Sequence, residues 1–170
     1  WKLAPALAAG NTVVLKPSEF TSASSLAFAD LMEQAGFPKG VFNVVTGYGA
    51  EIGETLVTHD DVAKIAFTGG GQSGAHVYEK AAAGLKKVSL ELGGKSPNIY
   101  FEDIMQQEDD YISKCVEGTV LAFFNQGEVC TCPSRLLVQE SVEKIVIKKL
   151  KARMEKLRVG NPLDKSIDIG

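Results

Sequence analysis

Short apolar runs alternate with helical stretches along the first half of the chain. Residues 12–15, 41–45, 64–67 and 87–90 read as strands, the first of them buried. Residues 3–9, 22–35, 50–58 and 74–83 read as helices, with Leu26, Leu31 and Met32 on one side of the second. Gly10-Asn11 and Gly36 with Pro38 supply stops, Pro17 interrupts the first strand ladder, and Gly47-Tyr48-Gly49 makes a turn. Strands alternating with helices of this length predict β-α-β units with right-handed crossovers around a parallel sheet. That is an α/β, Rossmann-like, nucleotide-binding architecture.

The rhythm changes after Gly93-Gly94. Residues 98–101 read as a strand, 102–110 are acidic and polar, 111–124 are helical, and 135–138 form another strand. An amphipathic helix over 142–157 follows, with Ser141 as N-cap and Gly160 beyond its end. Its Lys144, Lys148, Lys149, Lys151, Arg153 and Lys156 read as a solvated face. A boundary near Gly93 divides the chain into 1–92 and 93–170.

Composition narrows the function classes. The 170 residues carry 18 Lys and Arg against 21 Asp and Glu, with 45% hydrophobic residues, as in ordinary globular proteins. No basic run points to nucleic acid. No apolar stretch approaches the roughly 18 residues of a membrane span, and no signal peptide opens the chain, so a cytoplasmic setting is expected. Three cysteines, two of them one residue apart, argue against a disulfide framework. His59 and His76 lack ligand spacing to the cysteines, so no metal is expected.

The chemistry is expected at Cys130, which follows Phe123-Phe124-Asn125-Gln126-Gly127-Glu128-Val129. An apolar segment and a glycine turn can present a thiol near backbone N–H groups, where it ionises and becomes a nucleophile. The alternative is a small buried hydrophobe. The stretch resembles the nucleophile segment of the aldehyde dehydrogenase superfamily. A second segment of that superfamily stands upstream, in order, as Leu90-Glu91-Leu92-Gly93-Gly94-Lys95-Ser96-Pro97. The resemblance covers essentially the whole chain and implies part of an NAD-binding domain over 1–92 and the first part of an α/β catalytic domain over 93–170.

Gly69-x-Gly71-x-x-Gly74 fits a dinucleotide fingerprint, following a strand and opening a helix. Glycines admit a pyrophosphate to the backbone, and a helix N-terminus offers it N–H groups and a favourable dipole. A glycine-rich turn that simply packs tightly is the alternative. The fingerprint would give the ribose to an acid about 20 residues on, where Glu91 stands. The resemblance assigns otherwise: Glu91 is the general base, and Lys16 and Glu19 meet the adenosine ribose. A carboxylate there repels a 2′-phosphate, favouring NAD over NADP. Gly49, Thr68, Gly69, Gly70, Gly74 and Leu92 complete the expected cofactor contacts. The family commonly has a serine where Gly70 stands, so one phosphate contact falls to backbone N–H groups. A Lys16–Glu19 ion pair and a Glu91–Lys95 ion pair are the alternatives for those side chains.

The resemblance thus implies that the Cys130 thiolate attacks an aldehyde, that a hydride passes to nicotinamide, and that Glu91 activates water to release a carboxylic acid. Acylating relatives that use coenzyme A generally lack this glutamate. A non-catalytic nucleotide-binding or structural relative is the second reading. Extra length at 101–110 and the wording around Cys130 resemble a bacterial branch that includes acetaldehyde dehydrogenases. Cys132 could resolve an oxidised Cys130 or simply pack, and Cys115 should be inert. The family implies a homodimer or homotetramer, with the helix from Gly74 contributing to a contact. The chain opens at Trp1 without methionine and reads as an internal piece, from which negligible turnover is expected in isolation.

Overall fold

The computed structural model describes residues 1–106 and 111–170. Part of the extra length at 101–110, residues 107–110, lies outside the described residues. The chain forms two compact units, Trp1–Leu90 and Glu91–Gly170. Among the described residues no helix is long and apolar enough to cross a membrane.

The first unit begins with α1 (Leu3–Ala8), which Gly10 terminates at φ +78°, in the left-handed region that glycine enters freely. β1 (Val13–Leu15) pairs in parallel with β2 (Phe42–Val44), Val13 opposite Phe42 and Leu15 opposite Val44. Between them α2 (Ser22–Gln34) packs back on the sheet, Phe28 meeting Phe42 edge to face at 5.6 Å. Met32 is buried, but Leu26 and Leu31 are exposed. Five helical positions turn about 140°, so Leu26 and Leu31 cannot share one narrow face. Nor is β1 buried as expected: Val14 is half exposed, because β1 has one strand neighbour and Val14 projects to the face opposite Val13 and Leu15.

The expected helix over 50–58 is two pieces, a wide π-helical turn at Gly49–Gly53 and α3 (Glu54–Thr58). β3 (Lys64–Thr68), α4 (Gly71–Ala83) and β4 (Lys87–Glu91) follow, β3 and β4 forming their own two-stranded sheet.

In the second unit β5 (Pro97–Tyr100) and β6 (Arg135–Val138) pair in parallel as a sheet of their own, while the four strands of the first unit, read from sequence as one parallel sheet, form two two-stranded sheets. A 3₁₀ turn at Glu102–Met105 precedes α5 (Tyr111–Leu121), and α6 (Glu140–Met154) closes the layer. Ile112, Val116 and Val120 on α5 face Val142, Val146 and Leu150 on α6 at successive i, i+4 positions, with Tyr100 and Ile104 completing the core. The polar atoms in this core are satisfied. Tyr100 Oη donates to the Cys115 carbonyl at 2.7 Å and bonds Thr119 Oγ1, which also accepts from Asn98 Nδ2 at 2.8 Å.

Three sequence expectations change here. α5 stops at Leu121, because the N–H groups of Ala122, Phe123 and Phe124 bond carbonyls three residues back and tighten the chain out of the helix. Ser141 does not cap α6. The sheet ladder continues to Gln139, whose N–H donates to the Tyr100 carbonyl at 2.9 Å, so the helix starts directly after it; Ser141 Oγ donates instead to Glu102 Oε2. Arg153 is not merely solvated, since it pairs with Glu117 on α5.

Candidate active site

The two motifs that sequence singled out are brought together by the parallel pairing of β5 with β6. Pro97 lies opposite Arg135, and the Arg135 N–H reaches the Ser96 carbonyl at 3.4 Å. The segments entering these strands, 91–96 and 130–134, therefore run in from the same end. The two segments approach each other at Gly94, where a Cβ would stand 3.3 Å from the Cys130 carbonyl oxygen. Glu91, the last residue of β4, is three residues from Gly94, so roughly 11 Å of chain at most separates it from that contact. Residues 39 positions apart in sequence thus enter one small region.

Cys130 is exposed, while Cys132 is buried and Cys115 half-buried, so the buried-hydrophobe description fits Cys132. The turn before Cys130 runs through three consecutive left-handed residues, Asn125, Gln126 and Gly127, at φ 55°, 61° and 77°. It is tied by the Gly127 N–H, shared between the Phe123 and Phe124 carbonyls, and by the Glu128 N–H on the Asn125 carbonyl at 2.9 Å. Beyond it the Cys132 N–H returns to the Val129 carbonyl at 3.0 Å. Among the described residues the Cys130 N–H has no acceptor, leaving a donor beside an exposed thiol. The Glu91 carboxylate is exposed and, among the described residues, has no ion-pair partner; Lys95 does not bind it.

In the first unit the expected cofactor residues follow the carboxyl ends of strands, where open α/β sheets place their ligands. Lys16 follows β1, and its ammonium donates to the carbonyls of Pro17 at 2.7 Å and Gly47 at 3.2 Å, tying the loops after β1 and β2 together two residues short of Gly49. Lys16 is half-buried and Glu19 exposed, and no ion pair joins them among the described residues. Thr68 ends β3, its Oγ1 accepting from the Lys2 ammonium.

A Cβ at Gly69 would stand 2.6 Å from the tip of the Phe67 ring, so that ring would have to move to admit a side chain. Gly70 and Gly71 differ, with nothing within 4 Å of an added Cβ. Gly70 precedes the first turn of α4 and no side chain caps it, so the helix offers uncapped N–H groups over open space. Gly74 is buried inside α4. These features fit a dinucleotide pyrophosphate. Leu92, half-buried, belongs to the second unit.

Comparison with known proteins decides the family. The model of the aldehyde dehydrogenase family matches residues 1–170. The chain belongs to this family. An acetaldehyde dehydrogenase of Pseudomonas aeruginosa is 54% identical over 172 residues, covering all of this chain and 33% of that protein. The crystal structure of an Escherichia coli NADP-dependent enzyme matches with TM-score 0.90 and 45% identity over 99% of this chain and 34% of its own. A betaine aldehyde dehydrogenase from Staphylococcus aureus, crystallised with NAD+, matches with TM-score 0.87 and 38% identity over all of this chain and 33% of its own. This aldehyde dehydrogenase chain spans about a third of the length of these relatives, whose fold it shares.

Two features of the segments around the candidate site escaped the sequence reading. Gly94 was legible only as half of a glycine doublet, and its approach to Cys130 depends on a long-range register. Ser134 Oγ is buried without a hydrogen-bond partner among the described residues, two positions beyond Cys132.

Proposed function

We propose that the protein carrying this chain oxidises an aldehyde to a carboxylic acid with NAD, Cys130 being the nucleophile and Glu91 the general base. The approach of the Glu91–Ser96 segment to the Cys130 backbone is the observation that carries this reading. The exposed Cys130 thiolate forms an S–C bond with the aldehyde carbonyl, whose π electrons pass to oxygen. The uncommitted Cys130 N–H donates to that oxyanion as charge develops. Bound NAD supplies the hydride acceptor. Cys130 then holds the acyl group as a thioester. The Glu91 carboxylate removes a proton from water as its oxygen attacks the thioester carbonyl, and collapse expels the Cys130 thiolate with release of the acid.

Residues 1–92 serve as part of the NAD-binding domain and residues 93–170 as the beginning of the catalytic domain, a division two residues beyond the one between the compact units. The pyrophosphate falls to the N–H groups at Gly69, Gly70 and the start of α4, near Thr68 and Gly74. Lys16 and Glu19 hold the adenosine ribose, with Gly49 beside it and Leu92 towards the nicotinamide. Glu19 disfavours a 2′-phosphate, hence NAD over NADP. Short aliphatic aldehydes are the favoured substrates, given the likeness to the acetaldehyde dehydrogenase. A cytoplasmic homodimer or homotetramer is the assembly we propose.

The test is NADH formation by the full-length protein with a panel of short aliphatic aldehydes, with and without coenzyme A. Turnover that needs only NAD and disappears in Cys130→Ala supports the reading. Turnover that persists in Cys130→Ala removes Cys130 from its role, and a strict need for coenzyme A removes hydrolysis.

A further inference from the structure

We infer that Gly94 is a positioning residue for the nucleophile, its missing side chain setting where the Cys130 backbone lies. The inference rests on Cys130 being the nucleophile. Gly94 does not need glycine for its backbone, since its φ lies outside the left-handed region. What it supplies is space. An added Cβ would stand 3.3 Å from the Cys130 carbonyl oxygen, and the neighbour must yield by a few tenths of an ångström. That oxygen is bonded to the carbon next to the Cα that carries the thiol, so its retreat turns or shifts Cys130 itself.

The chain around Cys130 has little freedom to absorb such a shift elsewhere. On one side the left-handed turn at Asn125–Gly127 is pinned by its hydrogen bonds; on the other, Cys132 is buried and the chain enters the β6 pairing at Arg135. The neighbouring glycine provides a contrast. An added Cβ at Gly93 meets nothing within 4 Å, and its φ is likewise outside the left-handed region. The doublet therefore divides into one sterically open position and one held against the nucleophile.

The experiment compares Gly94→Ala and Gly93→Ala in the full-length protein, with Cys130→Ala as reference. Three quantities are read: kcat and KM for NADH formation, the pH profile of Cys130 alkylation by iodoacetamide followed at its own peptide, and the thermal midpoint. Gly94→Ala should lower kcat about tenfold, a modest share of what a misplaced reacting group can cost, and should change the alkylation profile while the KM for NAD stays put. Gly93→Ala should keep the wild-type alkylation profile. A merely structural glycine would lower the thermal midpoint and leave the alkylation profile of the folded enzyme unchanged; that result overturns the inference. So would a Gly94→Ala protein that fails to fold, since a shift of a few tenths of an ångström is too small to unfold the unit. If Gly94→Ala behaves as wild type while Cys130→Ala is inactive, only the role of Gly94 falls; if Cys130→Ala keeps turning over, the nucleophile assignment falls with it.

Discussion

Arg153 grips Glu117 through two hydrogen bonds, Nε to Oε2 at 2.6 Å and Nη2 to Oε1 at 2.9 Å, joining α6 to α5 across the edge of the second unit's core. Hydrogen bonding from the guanidinium holds the Glu117 carboxyl below its usual 4.5. A depressed acid contributes stability above its unfolded value and loses it as pH falls through the folded value. Both side chains are partly exposed, so solvent screening keeps the contribution small. In the full-length protein Arg153→Met should lower the thermal midpoint by only a few degrees at pH 7, and the gap should narrow below pH 4.5. A gap independent of pH would assign the effect to packing of the arginine stem.

Glu91→Gln separates the two halves of the proposed reaction. The amide cannot take a proton from water, so thioester hydrolysis should slow by about 10²–10⁴-fold. If thiol attack does not also need Glu91, rapid-mixing experiments will show a first-turnover burst of NADH followed by a slow steady state. An unchanged steady-state rate would exclude Glu91 as the base for hydrolysis.

Glu19 offers a test of cofactor choice that leaves the chemistry alone. It is exposed and has no ion-pair partner among the described residues, so its charge is free to act on an approaching phosphate. Replacement by Ser should reduce the preference for NAD over NADP in kcat/KM about tenfold, the scale of one partly screened charge contact. An unaltered ratio would place the ribose contact elsewhere.

Local pattern made much of the fold legible. β6 is found at Arg135–Val138 as read, because its short apolar run is bounded by Pro133-Ser134 and by the polar Gln139. α4 ends at Ala83 as read but begins at Gly71, three residues before the expected Gly74, so Gly74 lies inside the helix. What sequence could not supply is pairing between distant segments. The start of α6 is set by Gln139 bonding Tyr100, 39 residues away, so Ser141 was chosen on local propensity and is not the cap. The end of α5 is likewise set by hydrogen bonds that switch to three-residue spacing. Cys130 and Glu91 are proposed for the site from their motifs, but the Gly94 contact appears only once β5 and β6 are in register.

Near its end the chain closes a loop on Asp168, and this gives the sharpest pH prediction. Asp168 Oδ2 accepts from the Arg158 N–H and Nε, each at 3.0 Å, while Oδ1 accepts from Nη2 at 2.9 Å. The Arg158 hydrogen bonds lower its carboxyl from 3.8 to about 2. The Asp168 and Ile169 N–H groups return to the Arg158 carbonyl, and the Gly160 N–H bonds the Ile169 carbonyl, so the ion pair sits on a backbone clasp. Its contribution is fully present well above 3.8 and is lost as pH falls towards 2. Asp168→Asn in the full-length protein should therefore open residues 158–169 to limited proteolysis more readily at pH 7. Hydrogen exchange of the Gly160 and Ile169 amides, corrected for intrinsic rates, should differ between wild type and variant by a constant factor from pH 7 to about 5. The factor should shrink towards one below pH 4. A factor that stays constant into that acid range would mean that the difference between the two proteins does not come from the charge of Asp168.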